Sequence, residues 1–538
     1  MKTCLIRALV CTLLLVCLCS AGLLAQEPGT LPSSLSTSDQ GQSNQNSSQS
    51  LGDLARKARK DHSEETKISP EEAKQLFSAV DRIANFASED SGFPRRSAIK
   101  RQLVGPDEVE KSARARMAKE DASERMARSE LTMKKFGLLP RQFNLQEFLI
   151  KAQRKELAGY YDEDSKSINL LNTIPLEKQE PILAHELTHA LQDQNYDLAT
   201  WTKAGDTNRG EYRANLADES KSARRAVVEG QATVVYVDYL LAPSGRSLQN
   251  TPGLIYRMED PAIKGTIDSQ MMHDSPMILR VAGEFPYHEG LIFEGELLQA
   301  GGKKMAFAGA FANPPRSTHE VIQPRAYLAQ EKLPAFTFPD VRAMLGATYE
   351  LYDSGSIGEL DVRALLWQLG TRTLADDLSR SWQGGAYVAF RKKSTTTPST
   401  ADLKVLYVSR WSSAQAAQRF AKFYAGAVSR RYQTVTATAD VSCPTGDCPV
   451  SVTQLSTEEG LVIVQLCADN TVVVSESFDK DTAAKLSAAV RESGHKAQAL
   501  GMSDELGMRL YDLPAFRNFQ QRIGKEIVDQ AYPALVVK

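Results

Sequence analysis

The feature that constrains this chain most is the His-Glu-Leu-Thr-His segment from His185 to His189. Two histidines four residues apart lie on one face, one turn from each other, when the backbone between them is helical. In that arrangement, two imidazole nitrogens can reach the same metal ion from a rigid support. The surrounding residues are mostly apolar and would bury the rest of the helix: Ile182, Leu183, Leu187, Ala190 and Leu191. The segment therefore predicts a buried helix that carries two metal ligands.

Glu186 follows the first histidine and would lie on the same side of the helix, one residue further round. There it can contact a metal-bound water without being a ligand itself. Zinc lowers the pKa of a bound water, so that a neighbouring carboxylate can take its proton. The chain has 7 histidines among 538 residues, so a chance pair with this spacing is rare. The alternative is two histidines that make ordinary hydrogen bonds within a helix.

A catalytic zinc ion needs a third protein ligand and one open position. The extended pattern, with Gly at the third and His at the sixth place after the second His, is absent because Gln192 and Asn195 occupy those places. Acidic candidates lie downstream, at Glu211, Glu219 and Glu229. Glu229 is favoured because it interrupts an apolar helix face, where a carboxylate is costly unless it is paired or bound to a metal. The setting of Glu211 is typical of an exposed loop, and this residue stays the alternative.

Small and acidic neighbours indicate how the site would be assembled. A second helix is predicted from about Ala217 to Leu241, and its Gly230 and Ala232 would let it approach the motif helix closely. Asp193 lies one turn past His189, where it can be the hydrogen-bond partner that orients an imidazole. The alternative for Asp193 is an exposed helix acid.

The N-terminus has the parts of a secretory signal. Lys2 and Arg7 flank the start of an apolar run over residues 8–18, small residues follow, and Ala25 is the expected last residue before cleavage. The alternative is a membrane anchor, but the run is shorter than the roughly 20 residues of a spanning helix. We therefore expect residues 1–25 to be a signal peptide, and the protein to be secreted or exported to the periplasm or cell envelope. No other long apolar run is visible, so no membrane span is expected after removal of the signal.

Composition and charge indicate the structure and the possible partners of other parts of the chain. Residues 26–66 are rich in Ser, Gln, Asn and Gly, and we expect a disordered linker because they cannot bury enough apolar surface. The formal net charge of -2 argues against a nucleic-acid partner. Cys443 and Cys448 bracket a turn, where an oxidising compartment favours a local disulfide.

The rest of the chain predicts an α+β fold in two domains, residues 67–345 and 346–538. The first is expected to be mainly helical with a small antiparallel or mixed sheet. Its first helix begins at Ser69-Pro-Glu-Glu, which has the form of a capping box, and residues 159–171 are expected to form two strands joined by a polar turn. From residue 346 on, strand-like runs interleave with helices at Ser413–Ser429 and Thr482–Gly494, which indicates a smaller α+β domain.

The longer segment His-Glu-Leu-Thr-His-Ala-Leu-Gln-Asp-Gln from His185 to Gln194, together with Glu-Gly-Gln-Ala from Glu229, resembles the gluzincin group of zinc peptidases. The chain is most similar to bacterial exported or envelope proteins often described as peptidase MA-like. The resemblance spans about residue 140 to 330 and includes three further segments: Gly159–Asp162, Phe285–Gly290 and Asn313–Glu320. It implies a zincin-like catalytic domain, Zn2+ bound by His185, His189 and Glu229, and Glu186 as the general base.

The resemblance also implies how a substrate would bind. In gluzincins an edge strand before the motif helix pairs with the extended peptide backbone, and residues 159–171 occupy that place. An oxyanion partner besides zinc is expected, with Tyr287 and His288 as candidates because they open a predicted helix beside a proline. The alternatives are a buried aromatic residue and a surface histidine. His319 is a further candidate, whose alternative is a position near a helix start.

Two places depart from the family pattern. Gln323 stands where members often have His, and Trp-Gln-Gly-Gly-Ala at residues 382–386 replaces a Trp-Gly-Gly-Asp-like turn. Neither place touches the expected ligands. We therefore expect an exported zinc metallopeptidase that hydrolyses a peptide or protein substrate, with Glu186 as general base. The alternative is a non-catalytic zinc-containing binding or scaffold protein of the envelope, although a structural site does not need Glu186 and usually has a fourth protein ligand.

Overall fold

The described residues form many helices, one small mixed sheet and one larger antiparallel sheet, which makes the protein an α+β fold, as the sequence predicts. A computed structural model of the chain describes residues 68–105, 107–108, 111, 120–153, 160–173, 176–203, 217–258, 275–334, 338–441, 450–493, 516, 519–521 and 524. All of them belong to one unit, Thr66–Lys538. The predicted signal peptide and linker, Glu211, and the pair Cys443 and Cys448 lie outside the described residues.

Helices dominate the described residues before the seven-stranded sheet. The first one begins at the predicted capping box, where the Glu72 N–H donates to Ser69 Oγ at 3.2 Å and the Ser69 N–H donates to Glu72 Oε2 at 2.7 Å. The helices are α1 (Pro70–Ser91), α2 (Glu120–Phe136), α3 (Leu145–Gln153), α4 (Leu176–Tyr196), α5 (Leu198–Lys203), α6 (Ala217–Leu241), α7 (Gly253–Met258), α8 (Met277–Lys304), α9 (Ala310–Ala312), α10 (Thr318–Ile322), α11 (Pro324–Leu328) and α12 (Arg342–Leu345). Among the described helices, none is both long and apolar enough to cross a membrane.

Three helices, α4, α6 and α8, form the frame of the candidate site. α6 lies close to α8 at Gly230, where an added β-carbon would stand 2.4 Å from the carbonyl oxygen of Gly290. The prediction that Gly230 faces the motif helix is therefore wrong. The reason is helical geometry: Glu229, one residue earlier, is turned about 100° from Gly230, so the two residues face different helices.

A small mixed sheet contacts the motif helix α4. Its strands are β1 (Lys100–Val104), β2 (Tyr160–Asp162) and β3 (Ser167–Leu171), in the order β1–β3–β2. β3 pairs in parallel with β1 and antiparallel with β2. β2 is therefore an edge strand, and it lies at the place where the sequence predicts one.

A seven-stranded antiparallel sheet forms the C-terminal part, in the order β4–β5–β6–β10–β9–β8–β7. Its strands and helices are β4 (Tyr349–Ser356), α13 (Glu359–Gln368), α14 (Arg372–Leu378), β5 (Trp382–Lys392), β6 (Lys404–Trp411), α15 (Ala414–Arg431), β7 (Val435–Val441), β8 (Ser451–Thr457), β9 (Gly460–Leu466), β10 (Thr471–Glu476) and α16 (Lys480–Ser493). The two predicted helices of this region are present as α15 and α16. β4 was not predicted, because its acidic, Ser and Gly residues have low strand propensity.

One hydrophobic core extends from the helices to one face of this sheet. Along β5, Tyr387 and Ala389 belong to the core shared with the helices, whereas Ala386 and Val388 belong to a second core on the opposite face. This alternation follows from the two-residue period of a strand. The boundary predicted between residues 345 and 346 falls just before β4, and side chains from both sides of it share the first core.

Candidate metal centre

His185 and His189 project from α4 toward the same point. Their Nε2 atoms are 3.1 Å apart, and the ring planes are nearly perpendicular, at 89°. Both side chains are buried. The predicted helix is therefore present, with the two imidazoles one turn apart on one face.

Glu229 reaches the same point from α6. Its Oε2 atom lies 3.2 Å from Nε2 of each histidine. Among the described residues, His185, His189 and Glu229 are the group of side chains close enough to share a metal ion. Glu219 instead accepts hydrogen bonds from the N–H and the hydroxyl of Thr318, at 3.0 and 2.6 Å.

The three donor atoms fit a zinc ion in both chemistry and spacing. Imidazole nitrogen and carboxylate oxygen are common zinc ligands, with bonds of about 2.0–2.2 Å, so two donors of a tetrahedral site are about 3.3 Å apart. The three separations here are 3.1, 3.2 and 3.2 Å. Three protein donors leave one tetrahedral position for water or substrate, which is the composition of catalytic zinc sites.

A chain of hydrogen bonds orients the ring of His189. Its Nδ1 lies 2.9 Å from Oε1 of Gln192, whose Nε2 donates to the Val228 carbonyl and to Oε1 of Gln231, both at 3.0 Å. Gln231 in turn donates to two backbone carbonyls that follow α8, at 2.8 and 3.1 Å. Because the Gln192 amino group is fully used, its oxygen faces His189. The imidazole therefore donates from Nδ1, and Nε2 is directed at the metal position.

The prediction that Asp193 orients an imidazole is wrong. The Asp193 carboxylate accepts hydrogen bonds from the Tyr161 hydroxyl at 2.5 Å and from Lys166 Nζ at 2.8 Å. It thus ties the β2–β3 hairpin to the motif helix. Gln192 takes the predicted role because its side chain is one methylene longer and bends back over the turn that carries His189.

Glu186 lies beside the donor atoms, and the edge strand holds its carboxylate. The backbone N–H of Tyr161 donates to Glu186 Oε2 at 2.7 Å. Burial raises the pKa of Glu186, and the nearby His185 and His189 offset part of that rise. A raised pKa makes a carboxylate a better proton acceptor near neutral pH, which suits a general base.

Neighbouring charges shift the pKa values of His189 and Glu229 when no metal is bound. Burial by itself lowers the pKa of His189, but the Glu229 carboxylate more than compensates and raises it to about 9. Burial by itself raises the pKa of Glu229, whereas Arg225 and His189 bring it well below its usual range. The pair therefore consists of a protonated imidazole and a carboxylate, and a bound cation would take the place of that proton.

The sequence predicts Tyr287 and His288 at the start of a helix. They lie instead in the middle of α8. Pro286 stands inside the helix, which continues because the residues around it are buried in the core. The Tyr287 ring stacks on His185 with a centroid separation of 6.0 Å. Burial, together with the Glu229 charge, raises the pKa of Tyr287 well above its usual range, so that the hydroxyl stays protonated. His288 is not among the three side chains grouped around the metal position.

His319 belongs to a different polar group, between α10 and α13. Its Nδ1 lies 2.6 Å from Oε2 of Glu359, and Gln323 donates to the same oxygen at 2.8 Å. Gln323 thus takes part in this pair. His319 is not among the three side chains grouped around the metal position.

The sequence analysis did not predict the roles of three polar residues that hold the metal-capable side chains: Gln192, Gln231 and Arg225. Two of them carried a signal in their spacing, since Gln192 is three residues after His189 and Arg225 is four residues before Glu229. Such spacings bring side chains together on one helix face. Gln231 carried no comparable signal, because its backbone partners lie beyond another helix.

A known family matches the C-terminal part of the chain. Residues 348–487 match the family described as Domain of unknown function (DUF8575). The matched segment begins one residue before β4 and ends within α16, so it contains the seven-stranded sheet and none of the three metal-capable residues. No curated protein and no solved structure matches the chain.

Proposed function

We propose that this protein is an exported zinc-dependent peptidase of the gluzincin type, with the metal held by His185, His189 and Glu229. The observation that carries the proposal is the triangle of three donor atoms at zinc spacing, with one tetrahedral position left over. The order of edge strand, motif helix and glutamate helix along the chain supports a zincin-like domain. The charged start and apolar run of residues 1–25 support export.

The side chains around the metal position have the properties that peptide hydrolysis requires. When bound, zinc supplies a lowered pKa for water and polarises the carbonyl of the scissile bond. Glu186 accepts the proton of the attacking water and delivers it to the leaving amine. The Tyr161 N–H holds Oε2 of Glu186, which leaves Oε1 to exchange the proton. Tyr287, as a protonated hydroxyl beside His185, donates to the developing oxyanion.

An extended peptide backbone is the substrate that the edge strand favours. Tyr161 is paired with Ile168 of β3, yet its N–H points away from β3 and bonds to Glu186. The side of β2 that does not pair with β3 is therefore the side that faces the proposed general base. A peptide that adds to this edge as a further strand would present its backbone carbonyl groups next to Glu186.

A non-catalytic zinc site in an envelope scaffold protein is the second candidate function. The observation in its favour is burial: the exposed fractions of His185, Glu186, His189 and Glu229 lie between 1% and 8%. A closed site of this kind is typical of structural zinc, although a structural site usually has four protein ligands.

Peptide cleavage by the chain from Gln26 onward separates the two functions. The wild type and the Glu186→Gln variant are incubated with a mixed peptide library, with and without a zinc chelator. Glu180→Gln is the matched control, because Glu180 lies on the same helix and is bonded to Arg82 and Tyr239 instead. We expect the wild type and the control to cleave, and the Glu186 variant and the chelated protein to be inactive. Tight zinc binding without cleavage would favour the scaffold, and cleavage that survives chelation would overturn the zinc mechanism.

A further inference from the structure

Arg225 is a buried cation between the third metal-capable residue and the end of the edge strand. Its Nη2 atom lies 2.8 Å from Oε1 of Glu229, and its Nη1 atom lies 3.4 Å from Oε1 of Glu163. Glu163 directly follows β2. A guanidinium group presents several donors in a rigid plane, so one side chain can bind two carboxylates at once. Arg225 therefore connects α6 to the β2–β3 hairpin.

The two carboxylate oxygens of Glu229 have different partners. Oε2 faces the two imidazoles at 3.2 Å, whereas Oε1 faces Arg225. A carboxylate whose second oxygen is held in this way can offer one oxygen to a metal. If both oxygens bound, they would compete for the coordination position that a catalytic zinc keeps open for water.

We infer, on the basis of the zinc site proposed above, that Arg225 is a positioning residue with two tasks. It keeps Glu229 a one-oxygen ligand, and through Glu163 it couples that ligand to the strand where the peptide binds. A simpler role would be to neutralise a buried carboxylate, which any cation at this place would do. A lysine at this position could neutralise the carboxylate but could not position it. The reason is that an ammonium group is a compact point charge without the planar fork of a guanidinium group.

Three variants separate these roles. Arg225→Met removes the charge and keeps most of the side-chain volume, and Arg225→Lys keeps the charge without the fork. Arg224→Met is the matched control, because the adjacent arginine lies over the Trp201 ring at 4.6 Å and donates to the Trp201 carbonyl at 3.0 Å. Zinc affinity is measured by competition with a chromophoric chelator. Coordination number is read from the visible absorption of the Co2+-substituted protein, and folding from circular dichroism.

We expect Arg225→Met to bind zinc about 10–100-fold more weakly than the wild type, as for other residues that orient metal ligands. Its Co2+ absorption should be weaker, because a second Glu229 oxygen raises the coordination number. Arg225→Lys should show the same spectral change, while Arg224→Met should match the wild type. Lysine that restores both affinity and spectrum would overturn the positioning role in favour of charge neutralisation. If Arg225→Met does not fold, the lysine variant decides the question.

Glu163→Gln tests the coupling to the hairpin. We expect a higher KM for peptides with zinc affinity unchanged, because the link to the peptide-binding strand weakens while the ligand stays held. An unchanged KM overturns the coupling. A wild-type protein that binds neither Zn2+ nor Co2+ overturns the proposed function itself, whereas normal metal binding and cleavage by both Arg225 variants overturns this inference and leaves the proposed function intact.

Discussion

Replacing Gly230 by Ala should push α6 away from α8. The added β-carbon would lie 2.4 Å from the carbonyl oxygen of Gly290, about 1 Å short of the 3.4 Å at which ordinary contact begins. The obstacle is backbone, so no side-chain rotation relieves it and the helices must move. Overpacking of this kind costs about 1–3 kcal/mol, and the higher helix propensity of Ala returns about 1 kcal/mol. We expect the free energy of unfolding to fall by about 1 kcal/mol, and by at most about 2 kcal/mol.

The same displacement should weaken the metal site, because Glu229 is the residue before Gly230. A shift of about 1 Å would move Glu229 Oε2 out of the triangle that it forms with the two imidazoles. Misplacement of that size can cost about 100-fold in rate. We therefore expect weaker zinc binding and slower peptide cleavage in addition to lower stability.

Thermal unfolding and chelator competition test both effects, with Gly426→Ala as the matched control. Gly426 lies within α15, and an added β-carbon there would meet no atom within 4 Å. This substitution should stabilise the protein by about 0.5–1 kcal/mol, because Ala has the higher helix propensity. The two variants should thus shift the unfolding temperature in opposite directions. A Gly230→Ala protein that is as stable as Gly426→Ala and binds zinc like the wild type would refute the packing argument.

Three further predictions concern residues around this frame. Gln192→Met should weaken zinc binding about 10–100-fold in chelator competition, because the His189 imidazole loses its hydrogen-bond acceptor. An affinity equal to that of the wild type would contradict this prediction. Asp193→Asn should raise KM for peptides without changing zinc affinity, because it loosens the β2–β3 hairpin. A change in zinc affinity with an unchanged KM would refute this prediction. Burial and the Asp90 carboxylate raise the pKa of Asp238 from 3.8 to about 7, so its stabilising contribution is full below pH 4 and lost as pH rises through 7. Asp238→Asn should therefore gain stability relative to the wild type between pH 4 and 8 in urea unfolding, and a constant difference would exclude this role.

Local patterns predicted the elements that carry the site. The hairpin of β2 and β3 and the helix Ala217–Leu241 lie where the sequence predicts them, and β3 and this helix also have the predicted bounds. Both depend on contacts between residues close in the chain, such as strand alternation, a polar turn and helical spacing. The desolvation argument also singled out Glu229 among three acids, and the structure brings Glu229 to the two histidines.

Contacts between segments that are distant along the chain could not be predicted from the sequence. The Gly290 backbone that Gly230 faces is 60 residues away along the chain, and one sequence does not say which helix a glycine will meet. The position of Tyr287 was misjudged for a related reason, because Pro286 signals a helix start locally and the packing of α8 overrides that signal. The strand β4 has a sequence of low strand propensity, and pairing with β5 makes it a strand.

The sequence by itself determined the helix that presents His185 and His189, the acid beside them and a short list of acids for a third ligand. These follow from chemistry and from spacing within a turn or two of helix. The tertiary structure decided which acid completes the triangle, that Gln192 and not Asp193 orients an imidazole, and that Arg225 holds the second oxygen of Glu229. Those outcomes depend on how α4, α6 and the hairpin pack against one another, and such packing is set by the sum of many weak contacts across the whole core.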